Sequence, residues 1–247
     1  MQCGRPGAWL CGACCEELRP LAGPACFRCG RPGPLPTLHC LECEGRELAF
    51  VTAAAAFAYS GPARELVRAC KFRGLRSLAA EMAALALPRF SDAVSAAAAH
   101  GHALDAATWA PTTRERRIER GFDHAELFAR ELAGRAGLPV VELLTRTGAA
   151  GHQSRLGRAD RAVNVAGAFA LRAAAARAPA APAAGSPPSA TGSSPQVAID
   201  VALKRVIIID DVYTTGETLD QCARAFAGAA YEVHAFTFAR TVRGQRC

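Results

Sequence analysis

Beyond residue 48 the apolar positions fall into short runs separated by stretches with helical spacing. AFVTAAAAFAY (49–59) reads as a strand, and GPARELVRACKFRG (61–74) as a helix, with Leu66, Val67, Cys70 and Lys71 at helical spacing and Gly74 as its stop. Residues 75–100 are Ala-rich and helical, HALDAATWAP (102–111) is a strand ending at Pro111, and FDHAELFARELAGRAG (122–137) is an amphipathic helix. LPVVELL (138–144), VAGAFAL (165–171), RVIIID (205–210) and YEVHAFTFA (231–239) complete the set of strands, with a helix through Leu219, Cys222, Ala223 and Phe226. Strands alternating with helices predict an α/β fold, a parallel sheet covered on both faces, with ligands beyond the carboxyl ends of its strands.

Two regions stand outside this pattern. Of the 25 residues 173–197, ten are Ala, five Pro, four Ser and two Gly, with Arg177 the only charge. Such a segment cannot offset its ordering entropy, so a disordered insert is expected there. Residues 1–48 hold eight of the eleven cysteines and few large apolar residues. The division that follows is a small cysteine-rich module, 1–48, and a larger α/β domain, 49–247.

Composition sharpens both. With 51% hydrophobic residues the larger part can bury a sizeable core, and a net charge of +7 suits phosphate-bearing partners without singling out nucleic acid. No stretch of 18 uncharged apolar residues occurs, and polar residues and cysteines stand where a signal peptide would need an apolar run, so a cytoplasmic chain without membrane insertion is expected. In that reducing setting cysteines serve metal rather than disulfides. Cys26-x2-Cys29 and Cys40-x2-Cys43 supply four thiolates as two knuckles, the donor set of a structural Zn2+. Cys3, Cys11 and Cys14 read as a second such unit lacking its first ligand, which the knuckle spacing places immediately before Met1. The expectation is that the full product begins upstream and completes that site. Cys15 and His39 are spare candidates.

Asp210 and Asp211 close an apolar strand, where buried charge is costly unless it has work to do. At the carboxyl end of a parallel strand they can accept hydrogen bonds from sugar hydroxyls and stand near Mg2+. Thr214, Thr215, Gly216, Glu217 and Thr218 then form a turn into a helix whose backbone N–H groups suit a phosphate. Phosphate and diol side by side describe a ribose 5-phosphate. Two blander readings stand beside this one: Thr214-x-x-Glu217 fits a capping box, and an acidic pair also ends a strand in phospho-accepting receiver domains.

VIIIDDVYTTGETL resembles the phosphoribosyl-pyrophosphate (PRPP) motif of type I phosphoribosyltransferases. With Tyr59, Lys71-Phe72-x-Gly74, Arg120-Gly121-Phe122, Gln153, Arg161-x-x-Asn164, Gly167-Ala168-Phe169 and the cysteine unit, the chain resembles the ComF family of that superfamily, associated with competence for DNA uptake. The resemblance implies a type I phosphoribosyltransferase-like sheet with an N-terminal zinc ribbon. It places Asp210 and Asp211 on the ribose hydroxyls, and Thr214, Thr215, Gly216 and Thr218 on the 5-phosphate. It also implies a pyrophosphate loop at 109–114, a mobile loop at 145–164, Mg2+ with the PRPP, and DNA or DNA-uptake proteins as partners. Asp123-His124 stands where that family has Asn-Gln, and an aspartate there is expected to repel pyrophosphate. Arg114, Arg116, Arg117 and Arg120 are pyrophosphate candidates or, interleaved with Glu115 and Glu119, a solvated helix face. Arg155, Arg158 and Arg161 carry the same ambiguity, and His124 and His152 are candidate bases.

Overall fold

The computed structural model describes residues 9–72, 75–147, 167–172 and 203–242. Cys3, Gly74, His152, Gln153, Arg155, Arg158, Arg161, Asn164 and the 173–197 segment lie outside the described residues.

Four strands make the central sheet: β1 (Ala53–Ala58), β2 (Ala106–Trp109), β5 (Arg205–Tyr213) and β6 (Glu232–Arg240). They lie in the order β1-β6-β5-β2, all parallel. The long apolar runs of β5 and β6 occupy the two central positions, buried on both faces as the sequence predicts. Alternation along β5 divides its side chains between two cores. Ile207 and Ile209 join Phe57, Phe236 and Phe238 on one face, under helices α2 (Gly61–Phe72), α3 (Leu78–Ala99) and α5 (His124–Arg135). Val206 and Ile208 join Val233, Ala235, Phe50 and the cysteines Cys26, Cys29, Cys43 and Cys222 on the other, under helix α6 (Glu217–Arg224). Each fully buried Phe or Ile of this kind contributes roughly 1.5–3 kcal/mol.

The region 138–144 departs from the expected strand. The Ala107 N–H donates to the Pro139 carbonyl (2.7 Å) and the Val141 N–H to the Ala107 carbonyl (2.9 Å), which makes a single bridge to β2. Pro139, without an N–H, cannot extend the ladder before Val140, and beyond it the Leu143 N–H turns to the Thr108 hydroxyl (3.3 Å) as the chain leaves the sheet. Regular pairing begins at Leu144, where β3 (Leu144–Arg146) meets β4 (Phe169–Leu171) in a separate antiparallel pair. The 165–171 run therefore contributes a short strand outside the parallel sheet. A short helix, α1 (Gly12–Glu16), precedes the sheet, and α4 (Arg114–Arg120) follows β2.

The cysteine-rich segment is built onto the sheet. Residues 19–21 run along the free edge of β1, with Leu21 N–H donating to Ala56 and Ala58 N–H donating to Arg19 (both 2.8 Å), so the edge is covered. Gly30 has φ +71°, and a Cβ there would stand 2.4 Å from the Ala53 carbonyl oxygen, so only glycine lets this knuckle lie against β1. Arg28 donates to the Val51 carbonyl (3.2 Å) and to the Leu48 carbonyl.

Candidate functional site

β5 runs three residues beyond the predicted end at Asp210, because β6 continues beside it: Asp210 pairs with Thr237, Val212 with Ala239 and Tyr213 with Arg240. On its other side β2 stops at Trp109, opposite Ile209. The two aspartates thus sit where one neighbour strand continues and the other has turned away, which opens a cleft of about 580 Å³ at the carboxyl end of the sheet. Its walls include Lys71, Arg116, Arg120, His124 and Arg146, together with Asp210, Asp211, Thr214 and Thr218.

Strand parity starts the two side chains on opposite faces, yet one carboxylate oxygen of each and a ring nitrogen of His124 lie within 4.8 Å of one another, a set that could hold a metal ion. Asp211 follows Ile207 and Ile209 towards the α2 and α5 face, where Lys71 Nζ lies 2.6 Å and His124 Nε2 2.8 Å from its Oδ2. Lys71 comes from the last turn of α2 and His124 from the first residue of α5. Burial alone would raise the Asp211 carboxyl, but Lys71 and His124 outweigh it and hold the group well below the usual carboxylate range. Lys71 is in turn held above its ordinary value by the two aspartates, against its own burial. Asp210 is half-buried, and burial together with the negative charge of Asp211 pushes it up to about 7. One carboxylate is therefore locked in an ion pair, while the other remains available for a ligand and sensitive to its charge.

The turn after β5 follows from Tyr213. Gly216 has φ +79°, and a Cβ there would stand 2.3 Å from the tyrosine hydroxyl, so the backbone folds over that ring only as glycine. The capping box is not formed: Gly216 occupies the N-cap of α6, and the Thr215 hydroxyl instead accepts from the Glu217 N–H (3.4 Å). The first-turn amides of α6 lack helical acceptors and carry the positive end of the helix dipole, as an anion requires. Thr214 and Thr218 line the cleft, whereas Glu217 faces Arg46 of the cysteine-rich segment (4.0 Å) and Gln221 (3.1 Å).

Asp123 does not face the cleft as a repelling charge. It is 3% exposed and caps α5, with Oδ1 accepting from the Ala125 (3.0 Å) and Glu126 (3.4 Å) N–H groups and Oδ2 from the Thr112 N–H (2.8 Å). Its lone pairs are consumed in fixing the 110–113 loop, whose Ala110, Pro111 and Thr112 line the cleft. The basic run after that loop is divided by helical phase: Arg116 and Arg120 reach the cleft wall, while Arg114 is exposed at the start of α4 and outside it, and Arg117 pairs with Glu126 (3.4 Å).

Four thiols meet in the cysteine-rich segment. Cys26 and Cys43 Sγ are 3.9 Å apart, Cys29 and Cys40 3.6 Å, and Cys40 and Cys43 4.0 Å. Tetrahedral Zn–S bonds of about 2.3 Å imply S···S separations of about 3.8 Å, so these four residues can hold a zinc ion. Burial pushes the Cys29 thiol up to about 11. Cys40 is brought down to about 7, because the backbone N–H groups of Glu42 and Cys43 outweigh its burial. Of the other unit, Cys11 and Cys14 Sγ stand 3.6 Å apart, with Cys14 and its neighbours Leu10 and Leu18 buried against the α2 and α3 core.

The zinc-type module also touches the phosphate-type turn. Arg46 donates to the Thr215 carbonyl (2.8 Å), and Arg240 at the end of β6 reaches the Cys29 carbonyl and Glu42 (3.1 Å) while lying 4.3 Å from the Tyr213 ring centroid. The sequence pattern assigns no role to Lys71, Arg46 or Arg240; of the three, Lys71 alone belongs to a motif, Lys71-Phe72-x-Gly74. Among the described residues no helix is long and apolar enough to cross a membrane.

No protein-family model matches the chain. The chain is similar to Competence protein ComFC of Bacillus subtilis (strain 168), with 26% identity over 245 residues that span 96% of this chain and 86% of that protein. That homologue bears out the resemblance to the ComF family carried by the motifs, and the alignment extends through the cysteine-rich segment as well as the sheet.

Proposed function

We propose that the cleft at the carboxyl end of β5 binds PRPP with Mg2+ and transfers its phosphoribosyl group to an acceptor. The observation that carries this reading is the juxtaposition of an available carboxylate, Asp210, with the glycine turn of residues 214–218 in a cleft lined by Lys71, Arg116, Arg120 and Arg146. Asp210, Thr214 and Thr218 line one cleft, which lets the diol and the phosphate of a single ribose 5-phosphate be met together. The cations supply the counter-charge that a pyrophosphate needs.

In this reading Thr214, Thr218 and the first amides of α6 bind the 5-phosphate, and Asp210 accepts from the ribose hydroxyls. Asp211 is a positioning residue: its ion pairs with Lys71 and His124 fix the ends of α2 and α5 around the sugar. Arg116 and Arg120 orient the pyrophosphate and stabilise the charge that builds on it as the bond to C1 breaks. Asp210 fits Mg2+ as an oxygen donor, whereas Asp211 is already engaged; bound with the substrate, the ion would neutralise the leaving group. His124 Nε2 donates to Asp211 (2.8 Å) and its Nδ1 faces the Arg120 guanidinium (3.3 Å), so both ring nitrogens are engaged before a ligand binds. Phe72, 71% exposed at the cleft mouth with the Arg120 guanidinium 5.3 Å from its ring centroid, offers a stacking face for a planar acceptor.

The name of the relative supports a setting in competence, where the +7 charge suits contact with DNA or with proteins that handle it. Incubating the zinc-loaded chain with labelled PRPP, Mg2+ and a panel of bases and amines tests the reaction. Pyrophosphate release with one acceptor is expected. Saturable PRPP binding without release from any acceptor would leave a PRPP-sensing adaptor, and no binding would overturn the assignment of the cleft.

A further inference from the structure

At the amino end of the sheet, away from the aspartates, three other ligand-type side chains converge. Glu232 and His234 are two apart on β6, so strand alternation sends both to one face. His102 arrives from the connection after α3, where its N–H closes onto the Ala97 carbonyl (2.9 Å). His102 Nδ1 lies 2.6 Å and His234 Nε2 2.9 Å from the same oxygen, Oε1 of Glu232. One donor atom from each of the three falls within 4.8 Å of the others. His102 Nδ1 is buried, and its short contact with the carboxylate is not aligned as a hydrogen bond.

We propose that His102, Glu232 and His234 form a second metal site, distinct from the cysteine site and from the cleft, that takes a borderline divalent ion, Zn2+ foremost. Two imidazoles and one carboxylate are the donors such an ion selects, whereas Mg2+ prefers an oxygen shell. The set has an outer support. His234 is 2% exposed and its Nδ1 stands 2.8 Å from the Thr52 hydroxyl, which on metal loading can accept the Nδ1 proton and leave the Nε2 lone pair for the ion. Arg205 Nε, 3.8 Å from the carboxylate, occupies the other side of Glu232 and restricts it to one ligand oxygen. Tetrahedral donors about 2.0–2.1 Å from zinc lie about 3.3 Å apart, so the two N···O contacts open by roughly half an ångström on loading. His102, with a side chain 36% exposed, has the freedom to make that shift. Three protein ligands leave a fourth position for water, and an adjoining cleft of about 180 Å³, lined by His100, His102 and His234, has room for it.

The competing arrangement is a metal-free trio in which Glu232 merely ties the two imidazoles together. Titrating Co2+ into the full chain preloaded with a single equivalent of Zn2+, which the four thiolates take first, with Mg2+ in excess to occupy the carboxylate cleft, separates the two. We expect one further equivalent to bind saturably, with visible ligand-field absorption and none of the near-ultraviolet charge transfer that thiolates give. His102→Ala, on an exposed turn, should keep the melting temperature of the metal-free protein within a few degrees and lose that uptake. Thr52→Val should weaken it about tenfold. Asp210→Asn should leave it unchanged, which keeps this site separate from the cleft. Absence of saturable uptake in the folded wild-type chain, or equal uptake by His102→Ala, would overturn the proposal.

Discussion

Arg240 lies with its guanidinium 4.3 Å from the centre of the Tyr213 ring, fully buried between the cysteine-rich segment and the phosphate-type turn. The same guanidinium holds the Cys29 carbonyl and Glu42, and the Tyr213 ring beneath it is the surface over which Gly216 must fold. Cysteine cluster, arginine, tyrosine and turn form a contiguous stack, with Arg46 as a second tie to Thr215. The zinc-type module therefore braces a part of the cleft it does not line.

That stack predicts linkage between metal and ligand. Stripping zinc with a chelator should loosen Cys29 and its carbonyl, release Arg240 and Arg46, and weaken PRPP binding by about tenfold, within the usual range of coupling between sites. Titration calorimetry on loaded and stripped protein checks it; equal affinities would show the module to be energetically separate.

Gly216 gives the sharpest steric test. Alanine there meets both an unfavourable positive φ and the Tyr213 hydroxyl. Gly216→Ala should cost about 1–3 kcal/mol of stability and displace the turn. Adding Tyr213→Phe removes the clash with the hydroxyl oxygen but not the ring contacts, so recovery in the double variant should be partial, as thermal melts can read.

The two aspartates should respond differently to amidation. Asp211→Asn leaves Lys71 beside His124 without its partner, and breaking so buried a pair should destabilise the fold by about 3 kcal/mol. Asp210→Asn removes a group already disfavoured as an anion. Because burial and Asp211 raise Asp210 to about 7, the folded protein holds a proton that the unfolded chain releases near pH ~4, so this group's contribution to stability falls as pH rises from ~4 to 7. The melting temperature of Asp210→Asn relative to wild type should climb across that window and level off above it. A constant difference would contradict the placement of Asp210.

Much of this was legible in the chain. Cys26, Cys29, Cys40 and Cys43 declare themselves by spacing, because a knuckle is local. The Ile207 and Ile209 alternation, read forward, already separates Asp210 from Asp211. Lys71 and Asp211 are 140 positions apart, and no local periodicity pairs them; nor does any pattern bring Arg46 to Thr215 or His102 to Glu232. Such contacts depend on which helix ends meet which strand ends, and that is fixed by the whole topology. The 138–144 run misled through apolar content alone: Pro139 bars pairing before Val140, and the Leu143 N–H bonds the Thr108 side chain rather than the β2 backbone. Asp123 misled through charge, since its backbone partners appear only when the chain turns at α5.

The central claim is that Asp210 and the 214–218 turn hold a ribose 5-phosphate. Calorimetric titration of PRPP with Mg2+ into the zinc-loaded chain at pH 8, beside Asp210→Asn, tests it most directly. The account predicts one saturable site in the wild type and an affinity at least about tenfold weaker in the variant, the scale of a lost charge-assisted hydrogen bond, with the fold intact by melting. Equal affinities in the two proteins, or no saturable binding to the wild type, would contradict it.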